Sequence, residues 1–197
     1  WKGGYDKDTA FHEPLTTFAF LAAVTTRVDF MSTVLILPQR QTALVAKQAA
    51  QIAVLSDNRF RLGIGTGWNT IEYEALGIPF RARGRRQEEQ VNLLRALWRE
   101  DSLSFDGEFH RVDAASINPR PSRTIPIWFG GSAPAMLERC ARLGDGWIPL
   151  MGANDAARQC IETLRAHRTA AGRDMSDFGI QAQAQYRGGT PERWRTH

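Results

Sequence analysis

Two cysteines in 197 residues, Cys140 and Cys160, are too few and too far apart for a disulfide framework or a tetrahedral zinc site, and neither belongs to a C-x-x-C pair. Both fall inside helical patterns and read as reduced thiols of a core. Lysine is almost as scarce. Lys2, Lys7 and Lys47 are the only ones, so the net charge of +4 rests on arginine. No aromatic-interleaved or groove-entering basic element is recognisable, which argues against nucleic acid as a partner. No apolar run approaches the roughly 18 residues of a membrane span, and the opening W-K-G-G-Y-D-K-D lacks the charged and apolar regions of a secretory leader. The expectation is a cytoplasmic protein without a membrane partner. A G-x-S-x-G elbow and an H-E-x-x-H pair are also missing, so hydrolase readings have no support.

What is present suffices for one substantial core, because 43% of the chain is hydrophobic. Short β-branched runs alternate with helical patterns, which predicts βα units around a parallel sheet in a single domain over 1–197. The periodicity places helices at Leu15–Thr26, Thr42–Leu55 and Arg85–Arg99, and strands at Val28–Leu37, Arg59–Gly65 and Ile125–Phe129. Ser132 is the expected N-cap of a helix ending near Gly144, and Asn154 the cap of another over Asp155–Ala171. Trp147–Leu150 and Phe178–Gln185 complete the expected strands, and Thr190 with Pro191 would open a last helix. Two excursions leave this scheme. Residues 68–83 read as a long irregular connection, and within 100–124 an Asp106-Gly107 turn predicts a small hairpin over Phe105–Phe109.

The densest chemical signal is Arg59–Asn69, R-F-R-L-G-I-G-T-G-W-N, with Gly63, Gly65 and Gly67 at alternate positions. In a strand these share a face, so the pattern allows a bare surface against which a flat ligand lies, or else close helix packing or a bulge. It matches neither the dinucleotide fingerprint, since Trp68 stands three after Gly65, nor the P-loop. Arg81, Arg83, Arg85 and Arg86 cluster at the start of a helix, where basic charge opposes the macrodipole. They read as a solvated entrance or as a site for an anionic group. Trp68 and Tyr73 are candidates to line a substrate pocket or to anchor the loop. His110, Glu72, Glu74, Glu88 and Glu89 read as polar surface or hairpin residues.

Several ordered motifs then carry a resemblance: E-P-L-T-T-F-A-F-L-A-A-V-T, V-L-I-L-P-Q-R-Q-T-A-L-V-A-K-Q-A-A, R-L-G-I-G-T-G-W-N-T-I-E-Y-E-A-L-G, I-P-I-W-F-G-G and R-L-G-D-G-W-I-P. The chain resembles the luciferase-like monooxygenase superfamily of (β/α)8 flavin and deazaflavin enzymes, and looks most like its F420-dependent oxidoreductase branch. The resemblance implies coenzyme F420, or FMN as the alternative, at the C-terminal mouth of the barrel, acting on a small-molecule substrate. By the same resemblance, a bulge with a cis peptide at Thr33-Val34 would back the ring. Gly65, Thr66 and Gly67 would form the cofactor-facing turn, Gly130, Gly131 and Ser132 would receive the phosphate, and the arginine cluster would meet the anionic tail of F420.

Departures qualify the match. Trp68 stands where sugar-phosphate dehydrogenase relatives carry a catalytic glutamate, and the strand that carries their catalytic histidine is not found; His12 comes too late in the sequence to replace it. That chemistry is not expected, and the catalytic residues stay unassigned. A full barrel has eight strands in about 250 residues, whereas the chain opens without Met and offers five strands. The expectation is therefore an incomplete barrel lacking the first βα unit, the second strand and the eighth unit. Such a sheet would need another chain, a second copy in a homodimer among the candidates, to cover its edges. A partial barrel that keeps the motifs without activity is the reading of another class.

Overall fold

The computed structural model describes residues 8–182. Its strands are β1 (Phe30–Met31), β2 (Leu35–Ile36), β3 (Phe60–Gly65), β4 (Leu103–Asp106), β5 (Arg111–Ala115), β6 (Ile127–Gly130), β7 (Gly146–Ile148) and β8 (Gly179–Ile180). Six of them build a parallel sheet in the order β1-β3-β6-β7-β8, with β2 continuing the path of β1 along β3. Register sorts the side chains into two faces. Leu62 pairs with Ile127, and Ile64 with Phe129, which pairs with Trp147. All five are buried at 0% exposure and form the face under the helices. Their neighbours in sequence line the other face: Arg61, Gly63, Gly65, Trp128, Gly130, Gly146 and Ile148, joined by Gly179, which pairs with Gly146. This is the half-barrel arrangement that alternation in parallel strands dictates, with the helical layer on one side.

The helices are α1 (Pro14–Val24), α2 (Thr42–Leu55), α3 (Thr70–Ala75), α4 (Arg83–Arg99), α5 (Pro134–Leu143) and α6 (Asp155–Ala170). Val45, Ala49 and Ile52 of α2 and Val91, Leu94 and Trp98 of α4 point into the core at the spacing the sequence predicts. Asn154 caps α6 by accepting from the Ala157 N–H at 3.0 Å.

Four expectations are corrected. The strand over Val28–Leu37 is broken: Met31 pairs with Arg61 and Leu35 with Ile64, so four steps on one strand match three on the other. One extra residue is accommodated as a β-bulge between β1 and β2. The connection over 68–83 is not irregular, because Asn69 accepts from the Ile71 N–H and nucleates α3, and a 3-10 turn follows at Phe80–Ala82. Ser132 does not cap α5; Pro134 occupies the first turn and moves the cap to Ala133, which has no capping side chain. The hairpin is wider than a turn at Asp106-Gly107: β4 pairs with β5 in antiparallel fashion, and Gly107 donates to the His110 carbonyl at 2.9 Å. The Glu89 carboxylate fixes this loop from α4 by accepting the N–H groups of Glu108 and Phe109 at 2.7 and 2.9 Å. Of the strand expected over Phe178–Gln185, the part beyond Ala182 lies outside the described residues, as do Thr190 and Pro191.

Candidate functional site

The C-terminal ends of β2, β3, β6 and β7 meet at one edge of the sheet. Helix N-termini and backbone turns gather there, which is where ligands bind in parallel α/β folds. The β1–β2 bulge brings Ser32, Thr33 and Val34 to this edge, and the Thr33–Val34 peptide is cis. Ser32 locks the bulge onto β3: its hydroxyl donates to the Gly63 carbonyl at 2.8 Å and accepts the Gly63 N–H at 3.1 Å.

The alternating glycines explain how the bulge fits. A Cβ on Gly63 would stand 1.8 Å from the Ser32 carbonyl oxygen, one on Gly65 2.6 Å from Val34 Cγ2, and one on Gly67 2.9 Å from Ile36 Cγ2. Gly130, on the next strand, would place its Cβ 2.5 Å from Val34 Cγ1. The glycine face is therefore not bare; the bulge reading applies, and Val34 occupies the space over Gly65 and Gly130. Val34 and Ile36 are half-buried, so they present an apolar floor at the mouth. Around this floor lie the Gly65-Thr66-Gly67 turn, with Gly67 at φ +68°, and the Gly130-Gly131-Ser132 turn, with Gly131 at φ +120°. Trp147 Nε1 donates to the Gly131 carbonyl at 2.7 Å and fixes the second turn, leaving Ser132 exposed.

Tyr73 corrects the pocket-lining expectation. Its ring is fully buried, its hydroxyl donates to the Thr66 carbonyl at 2.5 Å, and it packs edge-on against Phe80 at 5.2 Å. Burial pushes its pKa up to about 12. Tyr73 anchors the Gly65-Thr66-Gly67 turn from beneath, whereas Trp68 is 63% exposed at the rim. The four arginines do not converge. Arg81 is exposed, Arg83 stacks 3.7 Å over the Phe80 ring, Arg85 pairs with Glu108 at 2.8 Å, and Arg86 donates to the Pro38 carbonyl at 3.1 Å. At the same end of α4, Arg83 Nε and both polar atoms of the Gln87 amide are buried without a partner among the described residues.

Two polar connections at this end are invisible to motif reading. Glu72 accepts from Asn69 Nδ2 at 2.9 Å and from Gln39 Nε2 at 3.0 Å, tying the turn after β2 to the turn after β3. Glu89 accepts from His110 Nδ1 at 2.7 Å, and His110 Nε2 meets Thr42 Oγ1 at 2.6 Å. Burial raises the Glu89 pKa, but hydrogen bonds from His110, Phe109 and Glu108 outweigh it and hold the carboxyl below its ordinary 4.5. Glu89 is thus neither solvated nor surface polar. The E-E and hairpin settings offer no periodicity that pairs residues 21 apart in sequence.

Among the described residues no group of three His, Cys, Asp or Glu side chains could hold a metal ion, and no helix is long and apolar enough to cross a membrane. A hollow of about 400 Å³ between Arg61, Trp128, Asp145 and Gly179 lies at the opposite, N-terminal end of the strands. It is remote from the turns just described.

Comparison with known proteins gives this edge its context. The profile of the family described as luciferase-like monooxygenase matches residues 2–187. An uncharacterized protein of Mycobacterium tuberculosis is 42% identical over 170 residues, covering 86% of this chain and 58% of the relative. An F420-dependent glucose-6-phosphate dehydrogenase of Mycobacterium avium is 37% identical over 149 residues, covering 72% and 44%. An FMNH2-dependent dimethylsulfone monooxygenase of Pseudomonas fluorescens is 31% identical over 174 residues, covering 87% and 47%. The chain thus spans about half the length of the curated relatives it matches. An F420-dependent secondary alcohol dehydrogenase, solved with an F420–acetone adduct, superposes with a TM-score of 0.83 at 20% identity, over 90% of this chain and 56% of that one. This last likeness establishes the TIM-barrel type of the half-barrel sheet.

Proposed function

The chain belongs to the luciferase-like monooxygenase family, and from that premise we propose that its protein is an F420-dependent oxidoreductase acting on a small organic substrate. The observation that carries this reading is the apolar floor of Val34, seated over Gly65 and Gly130 between two glycine turns. A planar, largely apolar ring fits such a floor, because the glycines let the bulged strand rise without a clash. The exposed hydroxyl of Ser132, just ahead of α5, suits a phosphate, the Gly131 N–H being taken by the Ile148 carbonyl at 3.3 Å, and the orphaned Arg83 and Gln87 atoms at the start of α4 suit polar groups of a tail.

When bound, the deazaflavin supplies the hydride chemistry. The chain's own residues position and exclude water: Ser32 and the glycines hold the bulge, Tyr73 holds Thr66, Trp147 holds Gly131, and Trp68 and Ile71 form an apolar rim. The absence of an acidic residue at position 68 separates this site from sugar-phosphate dehydrogenation. The 37% identity to an F420-dependent relative supports the deazaflavin. The second reading, an FMN-dependent monooxygenase using reduced flavin and oxygen, is favoured by the 31% identity to an FMNH2-dependent enzyme over 87% of the chain.

Titration of the 197-residue protein with F420 and separately with FMN, followed by cofactor fluorescence, distinguishes the two. Saturable binding of F420 with FMN weaker by at least tenfold is the expected outcome. Preference for FMN selects monooxygenation, and binding of neither overturns both readings for this chain.

A further inference from the structure

The Glu89–His110 pair is more than a clasp for the hairpin, because its second nitrogen reaches another element. Glu89 and His110 side chains are only 14% and 12% exposed, Thr42 is 3% exposed, and Gln90 is fully buried. The Glu89 carboxylate receives three donors, the N–H groups of Glu108 and Phe109 and His110 Nδ1, so the ring hydrogen stands on Nδ1. In the neutral ring Nε2 is then the acceptor. Thr42 Oγ1 accepts from Gln90 Nε2 at 3.0 Å and keeps its own hydrogen to donate to His110 Nε2. Gln90 Nε2 also faces the carbonyls of Leu37 at 3.2 Å and Arg40 at 3.1 Å. Gln90 Oε1 is buried without a partner among the described residues, so the amide is fixed through Nε2 alone, and the contact with Thr42 Oγ1 helps anchor the nitrogen that holds residues 37–40. These residues directly follow Ile36, the edge of the Val34 floor.

We propose that His110 is a positioning residue, linking the β4–β5 hairpin through Thr42 and Gln90 to the turn at 37–40 that borders the mouth of the sheet. Its value for cofactor binding rests on the function proposed above; the mechanical link does not. Three other ties reach the same turn, Arg86 to the Pro38 carbonyl, Gln39 to Glu72 and Arg40 to Glu13, so loss of the His110 link should loosen the turn without releasing it.

The test is residue-resolved amide exchange on the full chain without cofactor, in variants that cut the relay at different atoms. His110→Asn keeps a donor where Nδ1 stands and loses the group at Nε2. The Arg40 amide, bonded to the Leu37 carbonyl at 2.9 Å, should then exchange about tenfold faster, while the Glu108 and Phe109 amides stay protected. His110→Gln, which retains a group near Nε2 and loses Nδ1, should reverse this pattern. Thr42→Val should reproduce the Asn phenotype and Thr42→Ser should rescue it. An Arg40 amide indifferent to both His110→Asn and Thr42→Val, or a uniform acceleration of all amides, overturns the link. Fluorescence titration with F420 forms the second arm. Affinity weakened about fivefold in His110→Asn and Thr42→Val but normal in Thr42→Ser supports the role at the mouth, and unchanged affinity with faster Arg40 exchange overturns that role. If wild type binds no F420, the functional reading fails while the exchange pattern still decides the link.

Discussion

Val34 and Gly65 are in contact across neighbouring strands with no room for another atom: a Cβ on Gly65 would stand 2.6 Å from Val34 Cγ2. The valine reaches this position because one extra residue bulges out between β1 and β2, and the glycine is what allows the bulge to lie flat on β3. Sequence pattern, local geometry and the proposed ring platform thus depend on the same pair.

Substitutions along this stripe should rank by what the new Cβ meets. Gly63→Ala drives a methyl into the Ser32 carbonyl, a backbone atom that cannot swing aside, whereas Gly65→Ala and Gly130→Ala meet the Val34 side chain. Gly63→Ala should be the most destabilising, by about 3 kcal/mol or more, with the other two at about 1–3 kcal/mol. Urea midpoints measure the order. Val34→Ala should relieve the Gly65→Ala and Gly130→Ala penalties but not that of Gly63→Ala.

Glu89 predicts an acid-sensitive brace. Its folded pKa lies below the ordinary 4.5 despite the opposing effect of burial, because His110 and the Phe109 and Glu108 amides donate to the carboxylate. A depressed carboxyl contributes stability that is present above the unfolded value and lost as pH falls through the folded one. Stability of the wild type should therefore decline below about pH 4.5, while Glu89→Gln should be less stable at pH 7 by about 1–3 kcal/mol and lose less on acidification. Urea unfolding between pH 7 and pH 3 reads both effects. Parallel acid losses in the two proteins would refute the assignment.

The two thiols should behave differently. Cys140 is buried beside Phe129 and Gly146, and burial pushes its pKa up to about 12; Cys160 on α6 is partly exposed. A chromogenic disulfide reagent should label Cys160 alone in the native protein and both in urea, and peptide mapping identifies the modified residue. Fast native labelling of Cys140 would contradict its packing.

Much of this fold is legible in the sequence where one physical rule dominates. Thr42–Leu55 reads as a helix because its apolar positions recur at helical spacing and no competing signal intrudes, and the helix occupies those bounds. The strand over Val28–Leu37 misleads for the opposite reason: β-branched composition is blind to a register change that only the neighbouring glycines accommodate. The site divides along the same line. The glycine turns are visible because backbone freedom leaves a compositional trace. Glu89, His110 and Thr42 are not, because a tertiary hydrogen-bond chain between a helix, a hairpin loop and a second helix has no period. Ser132 shows a local rule overridden by a stronger one two residues on, where Pro134 sets the first turn of α5.

Tyr73 and Trp68 stand five residues apart and separate support from contact. The Tyr73 hydroxyl holds the Thr66 carbonyl from inside, so Tyr73→Phe should cost about 1 kcal/mol in urea unfolding and weaken cofactor binding by letting the turn relax. Trp68, exposed at the rim, should change stability little when replaced by Ala, yet alter how an apolar substrate competes for the bound protein. The two variants therefore predict opposite signatures: a stability loss with general weakening for the buried tyrosine, and a substrate-dependent effect at constant stability for the tryptophan. If Tyr73→Phe leaves both stability and cofactor affinity unchanged, the Thr66 turn is held by its glycines alone, and the anchoring role assigned to the phenol is wrong.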